Sequence, residues 1–314
     1  LEDFNGLPLS EIIRSESVSI EDALNLSIAL SSALGAVHAA GIIHKDINPS
    51  NIIWNRKKGI VKLIDFGLSS RLEREKQEVG HGGVIEGTAA YISPEQTGRV
   101  NRSIDFRTDY YSLGVTLYHL LSGAPPFTSA DPTELIHCHI ARHPTPLTDL
   151  PVSGKEQKDR IPQPLSCIVE KLMAKSPEER YASAFGLRAD LEQARALLES
   201  GRSDFVAGLY DRSDEFRIPE RLYGFDRLIE RLHSLYQSVN RRQSVSLSIF
   251  GESGAGKTAL VNEIHRWITP GRGFFIRGKY QRLNTDVPYS GIIAMLRDLC
   301  VQLLLEPEDR LKVW

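Results

Sequence analysis

The stretch HKDINPSN at residues 44–51 decides the fold of this chain, and the tripeptide DFG follows it at residues 65–67. Short apolar runs surround both: Ile42-Ile43 and Ile52-Ile53-Trp54 flank the first, and Val61-Lys62-Leu63-Ile64 precedes the second. An Asp-x-x-x-x-Asn pattern is common by chance, but its combination with a DFG at this distance is not. The sequence therefore predicts that the first loop is held between short strands, which is the setting that a positioned catalytic base requires, and that a strand leads into the second.

These stretches resemble the catalytic loop and the metal-binding loop of serine/threonine protein kinases, and residues 1–200 resemble the hinge and C-terminal lobe of such an enzyme. The resemblance implies that Asp46 accepts the proton of the substrate hydroxyl. It also implies that Asn51 and Asp65 hold Mg²⁺ against the phosphates of ATP. Positioning and charge neutralisation dominate phosphoryl transfer, so one base and two metal-binding side chains meet its needs. The other motif residues predicted to be structural are His44, Phe66 and Gly67.

Three later segments extend the resemblance. GTAAYISPE at residues 87–95 is similar to the end of a kinase activation segment, which implies that Thr88 contacts the catalytic Asp and favours Ser/Thr acceptors. Asp109, in DYYSLG, resembles the buried Asp that ties a central helix to the catalytic loop. Arg180 resembles the Arg that pairs with the Glu of this segment, here Glu95.

Two substitutions depart from the kinase pattern. Lys45 stands where the family has an Arg, so an ammonium group replaces a planar guanidinium that can donate two parallel hydrogen bonds. Asn48 stands where the family has a Lys near the transferred phosphate, and an amide can donate a hydrogen bond there but neutralises no charge. Residues 71–87 contain no Ser, Thr or Tyr, which predicts that phosphorylation does not switch this segment.

The start of the chain lacks the features of a kinase N-terminal lobe. The first lysine is Lys45, and Gly6 is the only glycine before residue 35, whereas that lobe carries a glycine-rich loop and a strand lysine. The chain begins at Leu1 and stops at Trp314 within a helical pattern. We therefore expect a fragment of a larger protein, and we expect these residues alone not to catalyse phosphoryl transfer at a useful rate.

A second nucleotide motif, GESGAGKT at residues 251–258, fits the phosphate-loop pattern G-x-x-x-x-G-K-[ST]. In such a loop, Lys257 reaches the β- and γ-phosphates and Thr258 binds Mg²⁺. The residues predicted to cradle the phosphates through their backbone N–H groups are Gly251, Ser253, Gly254, Ala255 and Gly256. A predicted strand at 244–250, a predicted helix at 258–268 and a second predicted strand at 273–277 supply the expected context.

The predicted fold class is α+β: a mainly helical kinase-like C-lobe followed by a truncated α/β P-loop NTPase domain. We assign residues 1–200 to the kinase region, residues 201–222 to a polar linker, and residues 223–314 to the first part of an AAA/STAND-like ATPase domain. Helical periodicity and caps predict helices at 19–40, at 110–121 with Pro125-Pro126 as the stop, at 186–200 and at 224–239.

Composition narrows the partners. The net charge of −2 over 314 residues gives no reason to expect nucleic acid binding. No apolar run approaches the ~18 residues that would span a bilayer, so no membrane partner is expected. The three cysteines are scattered and odd in number, which favours reduced thiols and a cytoplasmic location.

The pairing of a kinase lobe with a phosphate loop resembles the bacterial trifunctional proteins described as serine/threonine kinase, ATP-binding protein and sensor histidine kinase. The stretches that carry this resemblance include residues 86–115, LYGFDRLIERL at 222–232 and RGKYQRLNTDVPYS at 277–290. It implies ATP and Mg²⁺ as cofactors. Downstream GAF-like and histidine-kinase domains of the same polypeptide are the implied partners, and Asn48 becomes a feature of the family.

Three functions remain open at this point. The first is an enzyme that phosphorylates Ser/Thr of a protein substrate with Asp46 as base. The second is a regulatory, pseudokinase-like interaction module with the ATPase as a nucleotide-dependent switch, motivated by Asn48 and by the missing hydroxyls of residues 71–87. The third is a small-molecule phosphotransferase, which shares the Asp-x-x-x-x-Asn loop but does not normally carry the GTxxY…PE segment.

Overall fold

The computed structural model describes residues 4–71, 88–98, 100, 102–150, 161–200, 204–211, 224–239, 244–252, 255–257, 260–261, 276, 278 and 289–304. Contacts divide the chain into two compact units. The first comprises Leu1–Gly98 and Arg102–Phe216, and the second comprises Arg99–Asn101 and Arg217–Trp314.

The first unit is mainly helical. Its helices are α1 (Leu9–Ser15), α2 (Ile20–Ala39), α3 (Arg107–Ser122), α4 (Pro132–Ala141), α5 (Gln163–Leu172) and α6 (Ala184–Ser200). Its strands are β1 (Leu7–Pro8), β2 (Ile42–Ile43), β3 (Ile52–Asn55), β4 (Ile60–Leu63) and β5 (Ser70–Arg71). The core lies between the helices, around fully buried side chains such as Leu30, Tyr111 and Leu191.

The strands form two small antiparallel sheets that bracket the acidic loops. One sheet has the order β1-β3-β4, with Ile52 opposite Leu63 and Leu7 opposite Trp54. The other pairs β2 with β5. The catalytic loop (residues 44–51) leaves β2 and enters β3, and the DFG loop leaves β4 and enters β5. Both loops are therefore anchored at each end by paired strands; the apolar runs predicted the strands β2, β3 and β4 but not β5.

Helix α2 begins and ends where the sequence predicted. The Ser19 hydroxyl oxygen accepts a hydrogen bond from the backbone N–H of Asp22 at 3.1 Å, and Gly41 follows the helix with φ +71°. The expectation that no apolar segment approaches the length of a membrane span does not hold for this helix. Its 20 residues include an 18-residue window with a mean hydropathy of 1.2, so α2 is long and apolar enough to cross a membrane. Contacts with α6, α3 and β4 explain that apolarity, because a helix that packs on several sides buries apolar side chains on more than one face.

Helix α3 is the centre of the lobe, and glycines shape both its packing and its end. A Cβ on Gly114 would lie 2.7 Å from the Cβ of Leu172, so the absent side chain allows α5 to approach closely. The predicted end at residue 121 lies within one residue of the observed end, although Gly123 rather than Pro125-Pro126 stops the helix. The helix ends at Ser122, and Gly123 adopts the left-handed conformation with φ +81° and donates its N–H to the His119 carbonyl.

Part of the predicted linker is packed against the first unit. Phe205 packs against its core, and the backbone N–H of Gly208 donates to Asp190 at 2.6 Å. The Asp211 carboxylate accepts from the backbone N–H groups of Ala182 and Ser183 at 2.7 and 3.1 Å, just before α6. Residues 204–211 are therefore held on the lobe by hydrogen bonds that their polar composition did not reveal. The domain boundaries stay a prediction.

The regular secondary structure in the described part of the second unit is helical. It contains α7 (Asp226–Val239), which was predicted, and α8 (Ser290–Leu304). The strand predicted at 244–250 is wrong: these residues are neither helix nor strand, and the Phe250 side chain is 90% exposed. Alternating apolar residues make a strand only beside a partner, and the described residues of this unit supply none. Most of the predicted helix 258–268 and strand 273–277 lies outside the described residues.

Candidate active site

A single buried carboxylate holds the start of the catalytic loop. Asp109, at the N-terminal end of α3, accepts from the backbone N–H groups of His44 and Lys45 at 2.9 and 2.8 Å. The His38 ring nitrogen lies 2.8 Å from the same carboxylate. Lys45 has φ +66°, which side chains seldom adopt, and the Gln96 amide donates to its carbonyl at 2.7 Å. Hydrogen bonds from segments that are distant in the chain therefore hold the turn that carries Asp46.

Both carboxylate oxygens of Asp46 accept hydrogen bonds. Oδ1 accepts from the backbone N–H and the hydroxyl of Thr88 at 3.1 and 3.0 Å. Oδ2 accepts from the Asn51 amide at 2.9 Å, and the same amide donates to the Asp46 carbonyl at 2.9 Å. Hydrogen bonds of this kind fix the rotamer of a base. The structure thus brings together three of the predicted site residues, Asp46, Asn51 and Thr88.

Asn48 is a buried bridge. Its side-chain amide donates to the Asp46 carbonyl and to the Thr88 hydroxyl, both at 3.3 Å. Its side-chain oxygen accepts from the backbone N–H of Ser50 at 2.9 Å, and only 4% of the residue is exposed. Asn48 therefore joins the catalytic loop to the segment that carries Thr88, a structural part that its sequence position did not indicate.

The DFG loop meets the catalytic loop through His44. The His44 Nε2 lies 3.1 Å from the Ile64 carbonyl, and the ring packs 4.6 Å from that of Phe66. Asp65 has φ +61° and accepts from the backbone N–H of Gly67 at 3.2 Å. The Asp65 side chain is exposed, as expected of a group that serves a ligand. His44, Phe66 and Gly67 thus orient Asp65 relative to the catalytic loop.

The oxygen atoms of this site fit Mg²⁺. The Asn51 amide nitrogen donates to the carbonyl and the carboxylate of Asp46. The Asn51 Oδ1 makes no hydrogen bond to any residue that the structure describes. That oxygen and the Asp65 carboxylate are hard oxygen donors. Mg²⁺ typically takes one or two such protein ligands and completes its shell with water and substrate phosphates. The donor set therefore suits a magnesium nucleotide.

A buried ion pair anchors the segment that follows Thr88. Arg180 donates to Glu95 through both terminal nitrogens, at 2.5 and 2.8 Å, and the two side chains are 0% and 1% exposed. The Thr108 hydroxyl also donates to Glu95 at 2.8 Å. Burial by itself raises the pKa of Glu95, but the charge and hydrogen bonds of Arg180 outweigh it and hold that pKa below its usual value. The pair is thus ionised at neutral pH and clamps this segment to the lobe.

A cavity of about 350 Å³ opens beside Asp46, and we name it the acceptor cavity. The residues that line it are Ser10, Ile13, Arg14, Asp46, Asn48, Pro49, Ser50, Asn51, Thr88, Tyr91 and His119. The Tyr91 hydroxyl lies 2.7 Å from Nδ1 of His119. Burial raises the pKa of Tyr91 to about 12 and lowers the pKa of His119, so both rings are uncharged at neutral pH. Sequence reasoning missed Arg14 and His119, which belong to no motif.

The phosphate loop (residues 251–258) is described in part. Gly256 has φ +77°, a conformation that favours glycine, and the N–H of Leu260 donates to its carbonyl at 2.9 Å. The Lys257 ammonium donates to the carbonyls of Gly251 and Glu252 at 2.8 and 2.5 Å. Ala255 turns back so that its N–H donates to Glu252 at 3.2 Å. Ser253, Gly254 and Thr258 lie outside the described residues.

Comparison with known families matches the first part of the chain to one family and the last part to another. Residues 1–191 match the family described as protein kinase domain. Residues 221–314 match the family described as AAA ATPase domain. The two motifs of the sequence, HKDINPSN and GESGAGKT, fall one in each match.

Two relatives illustrate the similarity. The chain is 29% identical to the hybrid signal transduction histidine kinase G of Dictyostelium discoideum, over 92% of this chain and 11% of that protein. It is 34% identical to the serine/threonine-protein kinase PknB of Mycolicibacterium smegmatis, over 61% of this chain and 29% of that protein. The chain thus spans less than a third of either relative's length.

Proposed function

The chain belongs to the protein kinase family, and on that premise we propose that it contributes the catalytic lobe of a signalling protein that transfers the ATP γ-phosphate to Ser or Thr of a protein substrate. The prediction of a protein serine/threonine kinase is confirmed at the level of enzyme class. The observation that carries the proposed reaction is the fixed carboxylate of Asp46. It opens into the acceptor cavity and is bonded to both Thr88 and Asn51.

Each residue has a part in this proposal. Asp46 accepts the proton of the acceptor hydroxyl as the phosphoryl group is transferred. Thr88 holds Oδ1 of Asp46, and Asn51 holds Oδ2, so the base keeps one orientation. ATP would supply the phosphoryl group, and bound Mg²⁺ would neutralise the negative charge of its phosphates. Asn51 and Asp65 would hold the metal through their oxygen atoms.

Asn48 sets this site apart from a kinase with a lysine at that position. An amide placed between Asp46 and Thr88 keeps the loop geometry but brings no positive charge to the transferred phosphate. Charge neutralisation then depends more heavily on the metal ions. We therefore propose an active site whose rate is strongly dependent on Mg²⁺.

The second unit adds a nucleotide switch to this proposal. The match to the AAA ATPase family and the loop around Lys257 support ATP binding with Mg²⁺ through residues 251–258, including Ser253, Gly254 and Thr258. The likeness to a hybrid histidine kinase over 92% of the chain supports a multidomain protein of the trifunctional kind, with GAF-like and histidine-kinase domains downstream. A cytoplasmic location accords with this proposal.

One experiment tests the kinase reaction. In the full-length protein, Asp46→Asn should lower phosphorylation of Ser/Thr peptides by about 10²–10⁴-fold, the usual contribution of a general base. The measurement is transfer of radiolabelled phosphate from ATP, with Asp105→Asn, which lies outside the acceptor cavity, as the matched control. Equal transfer by the wild type and Asp46→Asn would reject the role of Asp46.

A regulatory, pseudokinase-like module remains a second candidate, and the buried, uncharged Asn48 is the observation that favours it. This alternative predicts that Lys257→Ala changes signalling output while Asp46→Asn does not. Output can be read as phosphorylation of the downstream histidine-kinase domain in the full-length protein. The opposite pattern, with only Asp46→Asn changing the output, supports the enzyme.

A further inference from the structure

The acceptor cavity has a distinct distribution of charge. Asp46 is the only carboxylate among the described residues that line it, and Arg14 is the only side chain there with a full positive charge. Tyr91 and His119 lie 2.7 Å apart, and because both are uncharged at neutral pH they add nothing to this balance. Among the described lining residues, a full positive charge therefore comes from Arg14 alone.

Arg14 is free to bind an anion. It lies in the last turn of α1, its side chain is exposed, and its Nε donates to the Ser10 carbonyl at 3.2 Å. That hydrogen bond orients the guanidinium but leaves both terminal nitrogens without a bond to any residue that the structure describes. A planar pair of N–H donors matches the two oxygens of a carboxylate.

We infer that the acceptor cavity selects protein segments in which an acidic side chain flanks the Ser or Thr to be phosphorylated, and that Arg14 is the specificity-determining residue. Asp46 repels a carboxylate placed at the acceptor position itself, so the acidic residue belongs beside the acceptor, on the Arg14 side. Ser10 and Ser50 also line the cavity, and their hydroxyls can donate further hydrogen bonds to the acidic residue of the substrate. This inference rests on the proposed kinase function and names its substrate class.

The test uses the full-length protein and a matched set of peptides. Each peptide carries one acceptor serine, and each flanking position in turn carries Glu, Gln or Lys. The kcat and KM values are measured for wild type, Arg14→Gln and Arg14→Glu. Arg195→Glu serves as the charge control, because Arg195 lies on α6 and does not line the cavity.

Wild type should prefer the Glu peptide over the Gln peptide at one flanking position by about 2–5-fold in kcat/KM, mainly through KM. Arg14→Gln should abolish that preference, and Arg14→Glu should reverse it in favour of Lys. The preference of the wild type should shrink as salt is added, since the contact is exposed. A structural effect of the substitution would not reverse charge preference or depend on salt.

Two outcomes overturn the inference: equal kcat/KM for Glu and Gln peptides at every position, or an acidic preference that survives in Arg14→Glu. Binding of the same fluorescent peptides, followed by anisotropy, separates this inference from the kinase proposal. If no peptide is phosphorylated, the proposed function fails. The acidic preference is then judged from the binding of the Glu and Lys peptides to the wild type and Arg14→Glu.

Discussion

The catalytic loop and the phosphate loop were both recognised by motif, yet they are held in different ways. The catalytic loop is tied by Asp109, Gln96 and Thr88, which lie more than forty residues away in the chain. The described contacts of the phosphate loop stay within the loop itself, as in the bonds from Lys257 to Gly251 and Glu252. A motif therefore predicts the chemistry of both loops, but among the described residues only the first loop is held by contacts from distant parts of a lobe.

The largest effect should come from breaking the buried ion pair behind the catalytic loop. Arg180→Ala leaves Glu95 charged and unpaired in the core, which should lower the free energy of unfolding by about 3–5 kcal/mol. Urea unfolding followed by circular dichroism measures it. Arg188→Ala is the control: its exposed pair with Glu192 should contribute less than about 0.5 kcal/mol. Similar losses in both variants would contradict this account.

Asp109→Ala should give the next largest loss. It leaves the buried N–H groups of His44 and Lys45 without their acceptor, which should lower the free energy of unfolding by about 2–4 kcal/mol. Faster amide hydrogen exchange should appear at those two residues. The exchange of Leu260, beside the phosphate loop, should not change. An unchanged catalytic loop would show that Asp109 is dispensable for its geometry.

The buried ammonium of Lys175 should make the lobe sensitive to pH. Burial and the charge of Arg180 lower the pKa of Lys175 to about 7, whereas its usual value is 10.5. Between these values the unfolded chain binds more protons, so stability should rise with pH by up to about 1.4 kcal/mol per unit. Below pH 7 both states are protonated, and the destabilisation stays constant. Lys175→Met should flatten the rise; an equal slope in both proteins would refute the assignment.

The smallest effect should come from the phosphate loop. Lys257→Ala removes hydrogen bonds from an exposed side chain to its own loop, which should change the free energy of unfolding by less than about 0.5 kcal/mol. The same variant should lose the stabilisation that added Mg-ATP gives to the wild type. Thermal unfolding with and without nucleotide measures both. A large loss without nucleotide would show that Lys257 has a structural role.

Local sequence predicted the elements whose signals are local. The cap at Ser19, the glycine at 41 and the apolar runs around the acidic loops produced correct positions for α2, β3 and β4. Predictions failed more often where the structure of a segment depends on contacts with residues that are distant in the chain. Residues 244–250 have strand propensity but no described neighbour to pair with. Residues 204–211 look like a linker, although Asp211 accepts backbone hydrogen bonds just before α6.

The acidic and glycine-rich motifs by themselves predicted the kinase family, the candidate base and the nucleotide chemistry, because those functions require particular residue types at short, fixed spacings. Tertiary structure alone decided which ordinary residues complete the site. Arg14 and His119 belong to no motif and Tyr91 belongs to the GTxxY segment, yet folding places these three distant residues on one cavity beside Asp46. Spacing along the chain encodes the catalytic groups, whereas the packing of α1 and α3 around the catalytic loop determines what surrounds them.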